Sequence, residues 1–323
     1  MAVPLFVLGN EHNRRYPQRK LLENLSEFEI RKHTGLPWWG VRELLQWLEP
    51  LVEPKGFTNH ALTAESKVLT ALGFFRSGGF QWLMGSNGGL SQSTTSRIIE
   101  QVSKALVRES PKIISFPNAA EQTRISTAIH VKSQFANIIG IIDGSHVNLI
   151  SPSQDERSFV NRKQNHSINV QLICDDKFRF IDAVARNPGG AHDSFVFRNS
   201  HIYHRFLTGE FGNGKLMGDS GYFRSPFMEV PYARRVITPL QRDYNKRLTS
   251  ARCAIECTIG RWKSRFRSMH RSGGELCYAP RKVCQLIIAT LTLHNFCHTT
   301  NIELLPEDDD VFDQIVREIQ QEN

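Results

Sequence analysis

Two carboxylates follow short apolar runs in the second half of the chain. Asp143 comes directly after Ile138-Ile139-Gly140-Ile141-Ile142, and Asp219 comes after Leu216-Met217-Gly218. Continuous apolar runs of this length are typical of strands buried on both faces. A lone acid at a strand end is most often a turn or capping residue. Two acids that each end a buried strand favour a different interpretation, because two strand ends can bring their carboxylates together on rigid supports.

A third acid, Glu256, lies in the middle of a predicted helix from Thr249 to Met269, and it is the only acid between Tyr244 and Gly274. It shares one helical stripe with a glycine and three bases, Gly260, Arg252, Lys263 and Arg267. One interpretation is an exposed Arg252–Glu256 ion pair, which stabilises a helix by only about 0.3–0.5 kcal/mol. The other is a metal ligand flanked by bases that bind phosphates.

Three such acids suit the hydrolysis of a phosphodiester. That reaction needs an activated water and a stabilised leaving oxygen, and two Mg²⁺ ions about 3.5–4 Å apart can supply both. Mg²⁺ and Mn²⁺ prefer carboxylate oxygens. We therefore take Asp143, Asp219 and Glu256 as candidate catalytic and metal-binding residues. Asp193 is a candidate fourth ligand or an alternative second one; as a helix N-cap before Ser194 it would have a purely structural role.

Other residues with chemical potential have simpler explanations. His146 comes shortly after the predicted end of the first strand, and a structural histidine is favoured over a general base there. Two pairs with i,i+4 spacing could together form a zinc site: Cys253 with Cys257, and His294 with His298. Buried thiols in the core are the favoured interpretation of the cysteines.

The elements around these residues predict an α/β fold. Ile168–Cys174 and Phe178–Ala185 are strand-like and are joined by Asp175-Asp176-Lys177, which favours a hairpin; Lys215–Gly218 is another short strand. Three stretches have helical spacing: Phe195–Leu207, Thr249–Met269 with an apolar stripe, and Val283–Cys297. The order of strands and helices predicts a mixed sheet with flanking helices.

The segment from Leu62 to Val107 predicts a small helical unit. Thr63 and Ser91 can cap the first and last of three short helices, and a glycine-containing turn precedes the last one, as in a helix-turn-helix. The last helix begins with residues that could contact DNA, Ser93, Thr94 and Arg97. Any three-helix bundle offers capped helices, so these residues could equally be structural.

The charge distribution favours a polyanionic partner. The formal net charge is +8. Residues 301–323 contain eight acids and one base, so the remaining chain has 39 Lys and Arg against 24 Asp and Glu, a charge of +15. Such a body attracts polyanions, and nucleic acid is the first candidate. The alternative is a soluble basic enzyme whose charges form a solvated face. We expect no secretory leader and no membrane span, and we expect six reduced cysteines in the cytosol or nucleus.

Several motifs, in order along the chain, resemble those of Harbinger-type DDE transposases. They span roughly Leu62 to Cys297 and comprise Gly140–Val147, Ala191–Ser194, Gly218–Tyr222, Tyr244-Asn245, Ile255–Lys263 and Leu293–Asn295. The resemblance implies a ribonuclease-H-like core in which Asp143, Asp219 and Glu256 bind Mg²⁺ or Mn²⁺. It also implies DNA as substrate, a separate partner protein with a Myb-like DNA-binding domain, and action in the nucleus.

The expected organisation has five segments. These are a helical segment at 1–60, a helix-turn-helix-like domain at 61–110, a linker at 111–136, a ribonuclease-H-like nuclease domain at 137–300 and an acidic tail at 301–323. We expect a metal-dependent DNA endonuclease, with strand transfer and homo-oligomers as further expectations and the cytoplasm as a second location. The alternatives are a catalytically silent DNA-binding or adaptor protein derived from a transposase, and a regulator acting through the helix-turn-helix.

Overall fold

The computed structural model describes residues 24–53, 61–79, 89–233 and 237–322. Its centre is a mixed sheet of five strands in the order β3-β2-β1-β4-β5. The strands are β1 (Ile138–Asn148), β2 (Ser167–Cys174), β3 (Phe180–Pro188), β4 (Lys215–Met217) and β5 (Met228–Glu229). β1, β2 and β3 are antiparallel neighbours, whereas β4 is parallel to β1 and β5 to β4. The predicted α/β class with a mixed sheet is confirmed.

Strand β1 is longer than the sequence pattern indicates. The apolar run predicts an end at Asp143, but β1 continues to Asn148 because β2 pairs with it from Ile141 to Asn148. Asp143 is therefore in the middle of a strand rather than at its end, opposite Leu172 of β2. Polar residues beyond Asp143 conceal the second half of the strand from a search for apolar runs.

The hairpin between β2 and β3 forms as predicted. Asp175 holds its turn, because one carboxylate oxygen accepts hydrogen bonds from the backbone N–H groups of Lys177 and Arg179, both at 2.9 Å. Strand β4 also forms, and Asp219 follows it by two residues. The sequence pattern does not predict the short strand β5, since two residues carry no readable periodicity.

Helices cover the sheet. The predicted helix Phe195–Leu207 is two short helices, α7 (Asp193–Arg198) and α8 (His201–Leu207), because Ser200 caps a new helix at the backbone N–H of Tyr203. Helix α9 (Pro239–Arg265) begins ten residues before the predicted Thr249, where Thr238 and Gln241 form a capping box. Helix α10 (Pro280–Thr299) is largely buried, as predicted.

In the described part of the chain, five helices precede the sheet: α1 (Glu27–Thr34), α2 (Trp38–Val52), α3 (Ala64–Ser77), α4 (Gln92–Ile113) and α5 (Ala119–Ser133). Thr63 caps α3 and Ser91 caps α4, as predicted from the sequence. The expected middle helix around Trp82 lies outside the described residues. A further short helix, α6 (Glu156–Phe159), follows β1.

The expected linker and tail are structured parts of the same body. Residues 111–136 include the end of α4 and all of α5, whose Ile125 and Ile129 are buried. Residues 309–322 form the C-terminal helix α11 (Asp309–Glu322), which packs against α9. Buried side chains of α1–α5 and α9–α11 belong to one hydrophobic cluster with one face of the sheet, whereas those of α7 and α8 belong to a second cluster with other sheet residues such as Ile139 and Ile142. No helix in the described part of the chain has the length and apolar content needed to cross a membrane.

Candidate active site

Three aspartates converge on one cavity of about 860 Å³. Asp143 lies on β1, Asp219 follows β4, and Asp193 begins α7. Gly144 makes this approach possible, because a methyl group added to it would lie 2.5 Å from Oδ1 of Asp193. A methyl group on Gly221 would likewise lie 3.1 Å from Oδ1 of Asp219 and 3.4 Å from Oδ2 of Asp193.

Asp143 is buried, with 3% of its surface exposed. Its Oδ1 accepts a hydrogen bond from the backbone N–H of Gly144 at 2.9 Å, and its Oδ2 accepts one from the guanidinium of Arg252 at 3.0 Å. Its pKa is raised to about 7, mainly by burial and also by the charges of Asp219 and Asp193, against the opposing effect of Arg252. Ionisation of this carboxylate is thus opposed by a crowded, poorly solvated environment.

Asp193 belongs to this acidic cluster rather than acting as a helix cap. Helix α7 begins at Asp193 itself, with His192 at the N-cap position. The side chain of Asn169 on β2 donates a hydrogen bond to Oδ1 of Asp193 at 2.8 Å. Burial raises the pKa of Asp193, and the charge of Asp219 adds to that effect.

The donors of this cluster fit a divalent metal. All three side chains offer hard carboxylate oxygens, the ligands that Mg²⁺ and Mn²⁺ prefer. The buried hydroxyl of Tyr222 has no hydrogen-bond partner among the described residues, and the charges of Asp193, Asp143 and Asp219 raise the pKa of this tyrosine beyond the effect of burial. A cation in the cavity would relieve the mutual repulsion of the acids. The fit is one of ligand chemistry: among the described residues, no three His, Cys, Asp or Glu side chains are already spaced to hold a metal ion, so the carboxylates would have to move closer together around it.

Among the described contacts, Glu256 is linked to this cluster only through its helix neighbour Arg252, which contacts Asp143, and its side chain is covered. It is on α9, one turn after Arg252, and only 2% of its surface is exposed. The side-chain amide of Gln320 on α11 donates a hydrogen bond to its Oε2 at 3.0 Å. Glu256 is not among the described residues that line the cavity. The structure therefore brings Asp143 and Asp219 together with Asp193, and leaves Glu256 engaged by the C-terminal helix.

The three bases expected to contact DNA along this helix instead pair with groups of the protein itself, which corrects that expectation; Arg252 and Lys263 are buried, and Arg267 is partly exposed. Arg252 is buried against Asp143. Lys263 is buried and donates to the backbone carbonyl of His146 at 2.7 Å. Arg267 lies beyond the end of α9 and pairs with the buried Asp308 at 2.8 Å. Burial of α9 between the sheet and α11 explains why its stripe of bases is not a solvated face.

The other candidate residues lie on α4, at the surface, and beside the cavity. On α4, Ser93 and Arg97 are exposed and Thr94 is partly exposed, and both hydroxyls also contact the capping Ser91. His146 lines the cavity, and its ring lies 3.0 Å from the hydroxyl of Ser167.

The zinc site considered from the sequence does not form among the described residues. The ring of His294 is buried against the carbonyl of Phe178 at 3.0 Å, and burial lowers its pKa to about 3. Burial raises the pKa of both Cys253 and Cys257, as expected for inert thiols.

One wall of the cavity is formed by residues that were not predicted from the sequence. Arg157, Arg162 and Lys163 lie between β1 and β2 and line the cavity, outside every motif recognised in the sequence. Three bases within seven residues, soon after the strand that carries Asp143, are a readable signal. Asn169, which holds Asp193, could not be selected from sequence, because polar residues in strands are common and its contact spans 24 positions.

Comparison with known proteins shows which families and relatives this chain resembles. The family described as DDE superfamily endonuclease matches residues 142–295. The human protein named "Putative nuclease HARBI1" is 30% identical over 303 residues, covering 91% of this chain and 86% of its own length, and the bovine protein of that name matches equally. "Protein ALP1-like" from Arabidopsis thaliana is 25% identical, covering 75% of this chain and 63% of its own length.

A "Probable transposase for insertion sequence element IS702" from Microchaete diplosiphon is 22% identical over 66% of this chain and 76% of its own length. No solved structure matches. The matched endonuclease region begins next to Asp143 and includes Asp193, Asp219 and Glu256. The similarity to HARBI1 covers most of both chains, and the endonuclease match contains all four acids. Together they show that this chain belongs to the family of Harbinger transposase-derived nucleases with a DDE endonuclease domain.

Proposed function

We propose that this protein is a DNA endonuclease that depends on Mg²⁺ or Mn²⁺. The observation that carries the proposal is the convergence of Asp143, Asp193 and Asp219 on one cavity, in a chain whose family is that of DDE endonucleases. Asp143 and Asp219 would hold the metal, Asp193 would be a further ligand, and Glu256 would complete the site once it is released from Gln320.

Divalent metal ions bound there would activate water and stabilise the leaving oxygen of an in-line displacement. The chain's own residues prepare that site. The backbone N–H of Gly144 and the guanidinium of Arg252 fix the two oxygens of Asp143, and Asn169 fixes Asp193. Most of the acidic cluster is shielded from solvent, which strengthens its attraction for a cation. The same cluster repels a phosphate when no cation is present, so metal and DNA should bind cooperatively.

The basic wall of the cavity supports DNA as the substrate. Arg157, Arg162 and Lys163 face the same space as the aspartates and can pair with phosphates on either side of the scissile bond. Ser93, Thr94 and Arg97 at the start of α4 offer a second contact surface on the basic body. Most of the affinity for DNA would then be electrostatic and independent of sequence.

Four further features are part of this proposal. Strand transfer would use the same displacement, with a DNA 3′-hydroxyl in place of water. A protein with a Myb-like domain would supply sequence recognition, and the nucleus would be the main place of action, with the cytoplasm as a second location. A homo-oligomer would allow two DNA ends to be cut together.

A catalytically silent DNA-binding or adaptor protein is the second candidate. Two contacts favour it: Arg252 occupies Oδ2 of Asp143, and Gln320 occupies Oε2 of Glu256. Under this alternative the acids would be structural remnants, held by the protein's own side chains. DNA binding without metal-dependent cleavage would be its signature.

A nicking assay on supercoiled plasmid distinguishes the two candidates. The full chain, with excess Mg²⁺ or Mn²⁺, should nick the plasmid, and chelation of the metal should stop the reaction. Asp143→Asn and Asp219→Asn should each lower the rate by at least about 100-fold, because they remove anionic ligands while keeping the shape of the side chain. Asp243→Asn, at an exposed ion pair on α9, is the matched control and should cut normally. Cutting by Asp143→Asn at the wild-type rate would contradict the proposal.

A further inference from the structure

The acidic C-terminal helix α11 is packed on the part of α9 that carries Glu256. Gly260, one turn after Glu256, is the point of closest approach. A methyl group added to Gly260 would lie 2.8 Å from the side chain of Val316 and 3.0 Å from that of Phe312. The fit between the two helices therefore depends on the absence of a side chain at this position.

The polar face of α11 forms part of the wall of the active-site cavity. Gln320 donates to the carboxylate of Glu256, as described above. The same face reaches the cavity itself, because Glu318 and Gln321 line it together with Asp143, Asp193 and Asp219. The helix thus touches both parts of the proposed catalytic set.

Glu318 takes up one positive group, Arg271, and one imidazole, His270, that a phosphate backbone could use. Its carboxylate pairs with Arg271 and lies 3.3 Å from Nε2 of His270, and both partners line the cavity. Among the described residues lining the cavity, the acids are Asp143, Asp193, Asp219 and Glu318. The first three are the proposed metal ligands. Glu318 is the remaining acid, and its position opposes the entry of DNA.

We propose that α11 is an intramolecular competitor of DNA: its acidic face occupies the surface at Arg271 and His270 where the DNA backbone binds, and its Gln320 withholds Glu256 until DNA displaces the helix. The inference rests on the proposed nuclease function for the identity of the ligand. DNA engages Arg271 in place of Glu318, and loss of the Gln320 contact frees Glu256 for the metal site.

The attachment of α11 suits a helix that moves as a unit. Asp308, just before the helix, is 1% exposed and pairs with Arg76 at 2.7 Å and Arg267 at 2.8 Å. These buried pairs hold the start of the helix to the body. Ile315 and Ile319 hold its apolar face in the core. Displacement exposes those two side chains, so the closed helix lowers the affinity for DNA by a finite factor rather than preventing binding.

Affinity for DNA tests the proposal without any need for catalysis. The full chain is titrated onto a fluorescent duplex of arbitrary sequence in a chelating buffer, and the dissociation constant is read from anisotropy. Glu318→Gln should tighten binding by about five-fold or more, the usual lower range of coupling between two sites. Asp313→Asn removes the same charge from the same helix at an exposed pair with Arg317, and it should change the affinity by less than about two-fold. Equal effects of the two substitutions, or none, would overturn the proposal.

Gly260→Ala provides a second variant that changes no charge. Replacing an exposed glycine in a helix with alanine usually stabilises the helix. At Gly260, however, the new methyl group would collide with side chains of α11 and should push that helix away. We expect tighter DNA binding and faster amide exchange across residues 309–322, with the rest of the chain unchanged. Linkage requires the converse as well: DNA added to the wild type should speed exchange in 309–322. Slower exchange there in the presence of DNA would overturn the proposal.

The outcomes for nuclease activity and for this helix are separable. If no variant cuts DNA with Mg²⁺ or Mn²⁺, the proposed function fails, while the affinity and exchange measurements still decide the role of α11. If the wild type cuts DNA but Glu318→Gln and Gly260→Ala bind it no more tightly than the wild type, the competition fails and the nuclease proposal stands.

Discussion

At the scale of single residues, the acids of the cavity are held at a cost to stability. Asp143 is buried among like charges, and its carboxylate keeps only the N–H of Gly144 and the guanidinium of Arg252 as hydrogen-bond partners that the structure describes. Such arrangements are typical of functional sites, where ligands are placed for a cation rather than for the stability of the protein. The small size of Gly144 is part of this placement.

Substitution of Gly144 should distinguish an effect on the proposed metal site from an effect on the stability of the fold. In Gly144→Ala the new methyl group would meet Oδ1 of Asp193, so the carboxylate must move out of the cluster. We expect metal-dependent nicking to fall by about ten- to 100-fold. Gly140→Ala, on the same strand, places its methyl group 2.7 Å from the apolar side chain of Ile173. It should cost about 1–3 kcal/mol of stability but keep the remaining folded protein active. Equal loss of activity per folded molecule would contradict the assignment of Asp193.

Asp182 on β3 provides a pH-dependent stability prediction away from the cavity. Its Oδ2 is buried without a hydrogen bond from the described residues, and burial raises its pKa to about 6 despite the opposing charge of Arg205. Because this pKa lies above the ordinary value near 4, the folded protein binds the proton more tightly than the unfolded chain. The stability contribution of the protonated form is therefore present below about pH 4 and is lost as the pH rises through about 6.

The substitution Asp182→Asn removes the ionisable group and therefore the loss of stability that accompanies its ionisation. In urea unfolding the variant should be more stable than the wild type at pH 8, by up to about 3 kcal/mol, and should match it near pH 4. Asp243→Asn, at an exposed ion pair, should show no such pH-dependent gain. A stability difference for Asp182→Asn that is the same at both pH values would show that the buried charge is not its cause.

At the scale of elements, the apolar patterns correctly predicted the features that depend on the local sequence alone, namely the buried stripe of a helix and the residues that cap helices. The stripe Ile255, Ile259 and Trp262 on α9 is fully buried, and the caps at Thr63 and Ser91 form as expected. The wrong predictions concern features that are determined by contacts with distant elements. Strand β1 is extended by pairing with β2, and the polar stripe of α9 is buried by the sheet and by α11. Neither contact leaves a signal within the segment itself.

Asp308 illustrates such a distant contact and can be tested. It is the last residue of a short 3₁₀ turn, Pro306–Asp308, that leads into α11, and it joins Arg76 of α3 to Arg267. Asp308→Asn removes the charge that compensates the buried Arg76, and it should lower the free energy of unfolding by about 3 kcal/mol. The neighbouring Asp309 is exposed, so Asp309→Asn should change the stability by less than about 0.5 kcal/mol. Comparable values for the two variants in urea unfolding would mean that the buried pairs do not anchor this segment.

At the scale of the whole molecule, charge is divided between a basic body and an acidic end. The sequence predicted this division, since the last 23 residues contain eight of the 32 acids. It did not predict that the acidic end folds back over the cavity, because the contact between Gln320 and Glu256 joins residues 64 positions apart. Nor did it identify which bases face the site, since exposure is decided by packing.

The salt dependence of DNA binding should identify those bases. Arg162→Ala combined with Lys163→Ala removes two cations from the cavity wall. We expect weaker binding to two unrelated duplexes alike, and a slope of log affinity against log salt that is shallower by about two units. Arg31→Ala with Lys112→Ala, at ion pairs on α1 and α4 that do not line the cavity, is the control and should leave the slope unchanged. An unchanged slope for the cavity variant would mean that DNA is held on another surface.

The central claim is that Asp143, Asp193 and Asp219 hold a divalent metal, and iron-directed cleavage tests it most directly. Fe²⁺ can occupy a carboxylate site for Mg²⁺ or Mn²⁺, and with ascorbate and peroxide it generates radicals that cut the nearest backbone. We expect cuts beside residues 143, 193 and 219, suppressed by excess Mg²⁺ and absent in Asp143→Asn. Cuts elsewhere in the chain, or cuts at these three positions that persist in Asp143→Asn, would contradict the account.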